Sequence, residues 1–312
     1  MAYFFDTQAL INSVKRRANI PDSQGMITDE EILDFANEEM QLNLVPFIVS
    51  KHEDYYLTQE HVSVISGVKQ YQIPYRALGT KLREVAFVNE GKYFELHRVS
   101  IDEITDTSYR NVPFSNHRFY IQDESIVIDT LTQDIGFDTL AFFYNIRPNE
   151  LVMPDQAAII TDIDTNTGII TVNAMPEAFE GNIKLDFIKA KAPHRIITFD
   201  ITPTSIDVAN SQITLNINDI PSVLEVGDHI CLQHQTDLVN SPSELHVMLA
   251  QMVAARILES IGDTQGLQNV NDKLARMEKN ADHLITNRVT GSPIKCSSRK
   301  NLNKDRRRGR FY

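Results

Sequence analysis

The chain has 312 residues, 42% of them hydrophobic and 23% charged, an ordinary core-forming balance with enough length for one large domain or two. Its longest apolar stretches, such as Leu44-Val45-Pro46-Phe47-Ile48-Val49, fall far short of the roughly 18–20 residues a membrane helix needs, which excludes a helical span. The net charge of −12 is uneven: residues 289–312 hold eight Lys or Arg against one Asp, a charge of +7, so the preceding 288 residues carry −19. An acidic body argues against general nucleic-acid binding by that part, and a basic end of this kind marks an interaction tail.

The N-terminal residues lack the basic and apolar regions of a secretory signal. Cys231 and Cys296 lie far apart and imply no disulfide framework, so a reducing cytoplasm is the expected setting for folding. Leu10, Val14 and Ala18 recur every four residues opposite Lys15, Arg16 and Arg17, which predicts a helix that Pro21-Asp22-Ser23-Gln24-Gly25 breaks. A second helix starts at a capping box, Thr28 with Glu31, and continues through Ile32, Phe35, Ala36 and Met40. Pro46 kinks that helix or starts another, which is expected to run on from Phe47 to Tyr56.

From about residue 59 the period changes to two. Hairpins are expected across Ser66-Gly67, across Asn89-Glu90-Gly91, between Phe119–Ile121 and Ile126–Ile128, and between Ala158–Ile160 and Ile169–Val172. Further strands are read at Leu140–Tyr144, Ile183–Phe187, Ile196–Phe199, Ile213–Leu215 and His229–Leu232. So many short segments point to a sandwich or small barrels. The stretches 158–188 and 204–232 resemble each other, each with a hairpin, a linker and then a strand.

Helix returns at Ser241, an N-cap candidate followed by Pro242. Leu245, Met248, Leu249, Met252, Val253, Arg256 and Ile257 form one apolar stripe carrying a single charge. After Gly262-Asp263, Leu267, Val270, Leu274, Met277, Ala281, Leu284 and Ile285 form another. Beyond Val289 no periodicity survives. The expected fold is α+β: a helical bundle made by both chain ends, a large antiparallel β-sandwich or barrel-like insertion, and an extended C-terminal arm. The expected boundaries are 1–58, 59–240 (with units of about 59–150 and 151–240), 241–288 and 289–312.

No phosphate loop, dinucleotide fingerprint, nucleophile elbow, zinc helix or paired zinc cysteines occurs. Asp162-Ile163-Asp164-Thr165-Asn166-Thr167-Gly168 imitates the start of a calcium loop, but its glycine is seventh instead of sixth and Asn173 stands where the bidentate Glu belongs; it reads as a polar hairpin loop. His229 and Cys231 share one strand face without further recognisable ligands, and His246 near Glu244 reads as structural or interfacial. Among 42 acidic residues no pair is singled out for glycoside hydrolysis. No catalytic residue, metal or cofactor is assigned.

Ile27-Thr28-Asp29-Glu30-Glu31-Ile32-Leu33-Asp34-Phe35-Ala36-Asn37-Glu38-Glu39-Met40 with Val45-Pro46-Phe47-Ile48 resembles the N-terminal helices of phage head-to-tail connector (adaptor) proteins. Ser241-Pro242-Ser243-Glu244-Leu245-His246, Ile261-Gly262-Asp263 and Ile285-Thr286-Asn287-Arg288-Val289 carry the same resemblance at the other end. It covers about the first sixty and last seventy residues and is strongest toward ring proteins of short-tailed, crAss-like phages. The resemblance implies a non-enzymatic virion subunit of the neck, assembled in the host cytoplasm as a homo-oligomeric ring, usually of twelve copies. Such a ring docks beneath the portal protein, meets further tail or ring proteins, and lets packaged DNA pass through its channel. It also implies an arm that docks on the portal, here Lys295, Arg299, Lys300, Lys304, Arg306, Arg307, Arg308, Arg310, Phe311 and Tyr312. The alternatives are a virion-borne cell-wall hydrolase and a nucleic-acid binder acting through the same basic segment.

Overall fold

The structure is a computed structural model that describes residues 5–20, 27–102, 117–130 and 138–285. The breaker at 21–25 lies outside these ranges, as do all the expected arm residues from Lys295 to Tyr312. Helix α1 (Thr7–Ala18) is capped by Asp6, whose carboxylate accepts the Ala9 amide at 2.7 Å, and it ends on Asn19 in the left-handed region. Helix α2 (Asp29–Glu39) opens with both bonds of the capping box: Thr28 Oγ1 accepts the Glu31 amide, and Glu31 accepts the Thr28 amide.

Pro46 stands in the first turn of a new helix, the second of the two expectations. It follows a π turn, Met40–Leu44, in which the Val45 amide reaches back to Met40. The widened turn suits a residue that has no N–H to offer and whose ring would crowd the carbonyl four residues back. Helix α3 (Val45–Lys51) then stops well before Tyr56. The expected continuation fails because Tyr56 is drawn into the core, where its hydroxyl donates to the Asn240 carbonyl at 2.9 Å. That bond places the entry to the β-rich segment beside its exit.

Helix α4 (His246–Ser260) buries ten of its fifteen residues, so it is enclosed on nearly every side, with α1, α2 and helix α5 (Thr264–Ile285) against it. Arg17 donates to Gln251 at 2.7 Å, which ties the two chain ends across one core. Of the residues expected in this core, Leu245, Met248, Leu249 and Met252 are buried, whereas Leu274 and Met277 are only partly so. Ser241 does not cap α4. A 3₁₀ turn, Ser243–Leu245, intervenes after Pro242, and Ser241 Oγ has no hydrogen-bond partner among the described residues.

The β-rich segment forms several sheets, antiparallel in nearly every pairing. One contains, in spatial order, β1 (Leu57–Ser63), β8 (Thr139–Ile146), β3 (Ala77–Asn89) and β4 (Lys92–Glu95). A second contains β2 (Gln70–Gln72), β7 (Ser125–Thr130), β6 (His117–Gln122) and β5 (His97–Arg98), with β5 parallel to β6. The β3–β4 hairpin turns through Glu90 and Gly91, both at positive φ as a two-residue type I′ loop requires. The β6–β7 hairpin also forms as expected. The hairpin across Ser66-Gly67 does not: β1 pairs with β8, and β2 with β7. Tyr71 is buried and its hydroxyl accepts the Ile65 amide at 3.1 Å, so a side chain takes the place of the expected ladder. Val85, Phe87, Phe142 and Tyr144 belong to the same hydrophobic core as Leu10, Ile48 and Leu249 of the helices.

A seven-stranded sheet follows, in the order β13 (Ile196–Ile201), β12 (Leu185–Ile188), β16 (His229–Leu232), β10 (Ala158–Asp164), β11 (Ile169–Val172), β15 (Gln212–Thr214) and β14 (Ser205–Asp207). Ile160, Phe187, Ile213 and Ile230 form its separate core. The two stretches that resemble each other in sequence meet here, since β11 pairs with β15 and β12 with β16. A short parallel pair, β9 (Glu150–Leu151) with β17 (Gln235–Thr236), leads back toward the helices.

Candidate interaction surface

A depression of about 460 Å³ lies over α4, between the α2–α3 arm on one side and α5 on the other. Its apolar lining comes from Phe47, Met248, Met252, Ala255, Leu267 and Leu274. The positions in α4 are four and three residues apart, so one helical face supplies the floor. The sequence stripes include Met248, Met252, Leu267 and Leu274, but α5 covers its own stripe incompletely: only Val270, Ala281 and Ile285 are buried along its 22 residues.

The rim is polar and mainly acidic. Glu39, Glu259 and Glu278 line it with Asn43 and Asn271, and Arg256 is its one cation. Arg256 already lies 3.5 Å from Glu38 and 3.7 Å from Glu259. Asn43, presented by the π turn, donates to Glu39 at 2.7 Å, and the neighbouring Leu42 is 72% exposed. A Lys51–Asp282 ion pair of 2.7 Å bridges α3 and α5 further along.

Two buried polar clusters sit elsewhere. In the first, Arg76 is fully enclosed between β2 and β3. Its guanidinium donates to both oxygens of Asp186 and to Asp200 at 2.8 Å, and to Asn149 at 2.9 Å, with the Phe199 ring 5.1 Å from its centre. Asp186 also accepts from Asn149 and from the amides of Asp200 and His234, both of which take positive φ to aim those amides. Burial opposes the charge on Arg76, but the bonds and charges of Asp200 and Asp186 outweigh it and raise its pKa. Burial likewise opposes ionisation of Asp200, yet hydrogen bonds from Arg76 and Tyr75 hold its pKa below the usual value.

In the second cluster, His229 and Cys231 do share a strand face, and both turn toward Asp237: the imidazole is 2.8 Å from the carboxylate and the thiol 3.8 Å. Burial pushes the Cys231 thiol far above its ordinary pKa, which removes it as a nucleophile near neutrality. His246 is also buried; its Nε2 bonds the Ser241 carbonyl at 3.1 Å, and its ring stacks on Phe5 and His194. Desolvation lowers the His246 pKa to about 4 and also lowers that of His194.

The calcium-like loop is the β10–β11 turn. Asp164 accepts from the Asn166 amide and the Thr167 hydroxyl, so its carboxylate serves the turn. Gly168 is required there, since a Cβ would lie 2.4 Å from the Leu215 carbonyl oxygen. Among the described residues no group of three or more His, Cys, Asp or Glu is placed to hold a metal, and no helix is long and apolar enough to cross a membrane. No protein-family model matches the chain, and no curated protein is significantly similar to it.

Proposed function

We propose that the chain is a structural interaction protein whose work is done by its surfaces. More particularly, it is a subunit of a phage portal-to-tail connector. Helices from both ends form the bundle of the adaptor core, the β segment is an insertion of two units near 59–150 and 151–240, and the basic residues 289–312 are the arm that docks on the portal. The observation that carries this reading is the enclosure of α4 by helices from the opposite end of the chain, with a long β segment entering and leaving at the Tyr56–Asn240 bond. The helices that carry the resemblance are the ones that meet there. The chemistry of the interior supports it too: Arg76 bonds Asp186, His229 bonds Asp237, and Cys231 is kept protonated, which suits a scaffold more than a catalyst.

The copies assemble as a closed ring through heterologous side faces. An acidic wall around the channel repels DNA phosphates and lets the genome slide. Native mass measurement of the purified protein, alone and mixed with the portal protein encoded in the same genome, tests the reading. A ring-sized complex is expected with the portal, and its loss is expected after deletion of residues 289–312. A protein that stays monomeric and ignores the portal would sink it, and cell-wall digestion by the pure protein would replace it with the hydrolase reading.

A further inference from the structure

We infer that the acidic-rimmed groove over α4 is the seat of the chain's own basic C-terminal segment, with the terminal Arg310-Phe311-Tyr312 lying in it. Three observations carry this. The first is chemical fit. The groove offers an apolar floor of Phe47, Met248, Met252 and Leu274 beneath Glu39, Glu259 and Glu278, and its single cation, Arg256, is already engaged by glutamates. The segment supplies the complement: Arg306, Arg307, Arg308 and Arg310, then two aromatic residues. Aromatic rings fill a desolvated floor while guanidinium groups pair with carboxylates at the margin, the usual division between anchor and rim.

The second observation is reach. Leu274, on the groove wall, lies eleven residues before Ile285, about 16 Å along the helix axis at about 1.5 Å per residue. Twenty-seven residues follow Ile285. Fully extended, a stretch of that length spans at most about 90 Å, several times the distance back along α5 to the groove wall. The segment of the same copy therefore reaches the groove, and a contact within one copy needs no encounter between copies. The third is that α5 leaves Leu267 and Leu274 only partly buried on the helix from which the segment departs.

The contact belongs to the free subunit and does not depend on the connector reading. If that reading holds, any protein that captures the segment must first draw it out of the groove, so the two sites compete and release is the regulated step.

The test uses the full chain with Phe311→p-benzoylphenylalanine, irradiated and mapped by mass spectrometry. Equal amounts of isotopically light and heavy protein separate links within a copy from links between copies. Links to Phe47, Met248, Met252 or Leu274 within one copy are expected. In Glu259→Lys/Glu278→Lys, two exposed changes, or in about 0.5 M salt, their yield is expected to fall about tenfold. Mixed light–heavy links to the groove would overturn the same-copy assignment, and links elsewhere, or a yield indifferent to both charge reversal and salt, would overturn the site. None of these outcomes involves the portal, so failure here leaves the connector reading to its own experiment.

Discussion

The two buried polar clusters are built on opposite terms. Around Arg76, charge is met by charge: Asp186 and Asp200 face the guanidinium, Asn149 bonds both sides, and two backbone amides complete Asp186. Around His246, beyond the His229–Asp237 pair, the rings of His246, His194 and Phe5 stack, and His194 Nε2, His246 Nδ1, Ser241 Oγ and Thr7 Oγ1 have no hydrogen-bond partner among the described residues. The first cluster joins the β2–β3 region to the seven-stranded sheet; the second joins that sheet to α4 and the N-terminal residues. Buried ions contribute little net stability over an apolar replacement, because desolvation offsets the attraction, but they penalise any other arrangement heavily. Neutral rings cost less to bury and hold their neighbours more loosely. The Arg76 junction is thus the one that fixes geometry, and the His246 junction is the one that conditions can loosen.

Removing one side of the charged cluster should have the largest effect. Arg76→Met leaves Asp186 and Asp200 facing each other in the interior, and a loss of about 3–5 kcal/mol in urea denaturation is expected. A loss under about 1 kcal/mol would mean that the cluster is hydrated and does not work as a buried ion group.

The next effect is pH. The folded-state pKa of His246 is about 4, below its ordinary value, because desolvation disfavours the cation. The unfolded chain therefore takes up the proton first as pH falls, so the stability is fully present above pH ~6.5 and is lost progressively toward pH ~4, by about 3 kcal/mol. The depressed Asp200 works in the same direction but lower, since its contribution is lost only as pH falls below the ordinary carboxylate range. His246→Phe, which keeps a ring against Phe5, should flatten the profile between pH 6.5 and 4. An unchanged slope would assign the pH dependence to other groups.

Smaller changes sharpen the contrast. Asn149→Leu removes bonds to Arg76, Asp186 and the Gln235 carbonyl, for an expected loss of about 1.5–3 kcal/mol. Ser241→Ala removes a hydroxyl that bonds no described protein group, and a change within about 0.5 kcal/mol is expected. If the two substitutions prove equal in a denaturation experiment, the distinction between the clusters fails.

What could be read from the sequence was what is settled locally. The capping box needs only Thr28 and Glu31, three residues apart, and the β3–β4 turn needs only Glu90 and Gly91; both form as read. Pairing partners were less legible, because β1 finds β8 and β2 finds β7 only after distant segments compete for the same core. Arg76 was missed altogether. The available signal was its partner: Asp186 stands inside Leu185-Asp186-Phe187-Ile188, a strand buried at every position, and an acid there requires a cation from elsewhere. The groove was hidden for a related reason. Periodicity shows that Leu267 and Leu274 face something apolar, without showing that the facing surface is left incomplete. The residues singled out for docking, from Lys295 to Tyr312, lie outside the described residues, and the groove emerged from the fold alone.

The hydrogen bond from Arg17 to Gln251 spans 234 positions of sequence, and it sets a timetable. During synthesis, α1 to α3 emerge with their apolar faces prepared but with α4 not yet made. At about 5–20 residues per second, the 194 residues between Lys51 and His246 take about 10–40 s to translate, during which the first helices have no final partner. The seven-stranded sheet, with a core of its own, has everything it needs before α4 appears. Maturation therefore runs outward from the middle of the chain. The ends, first and nearly last to be made, close the molecule together, so a chain cut short before α4 leaves its N-terminal helices without the helix they enclose.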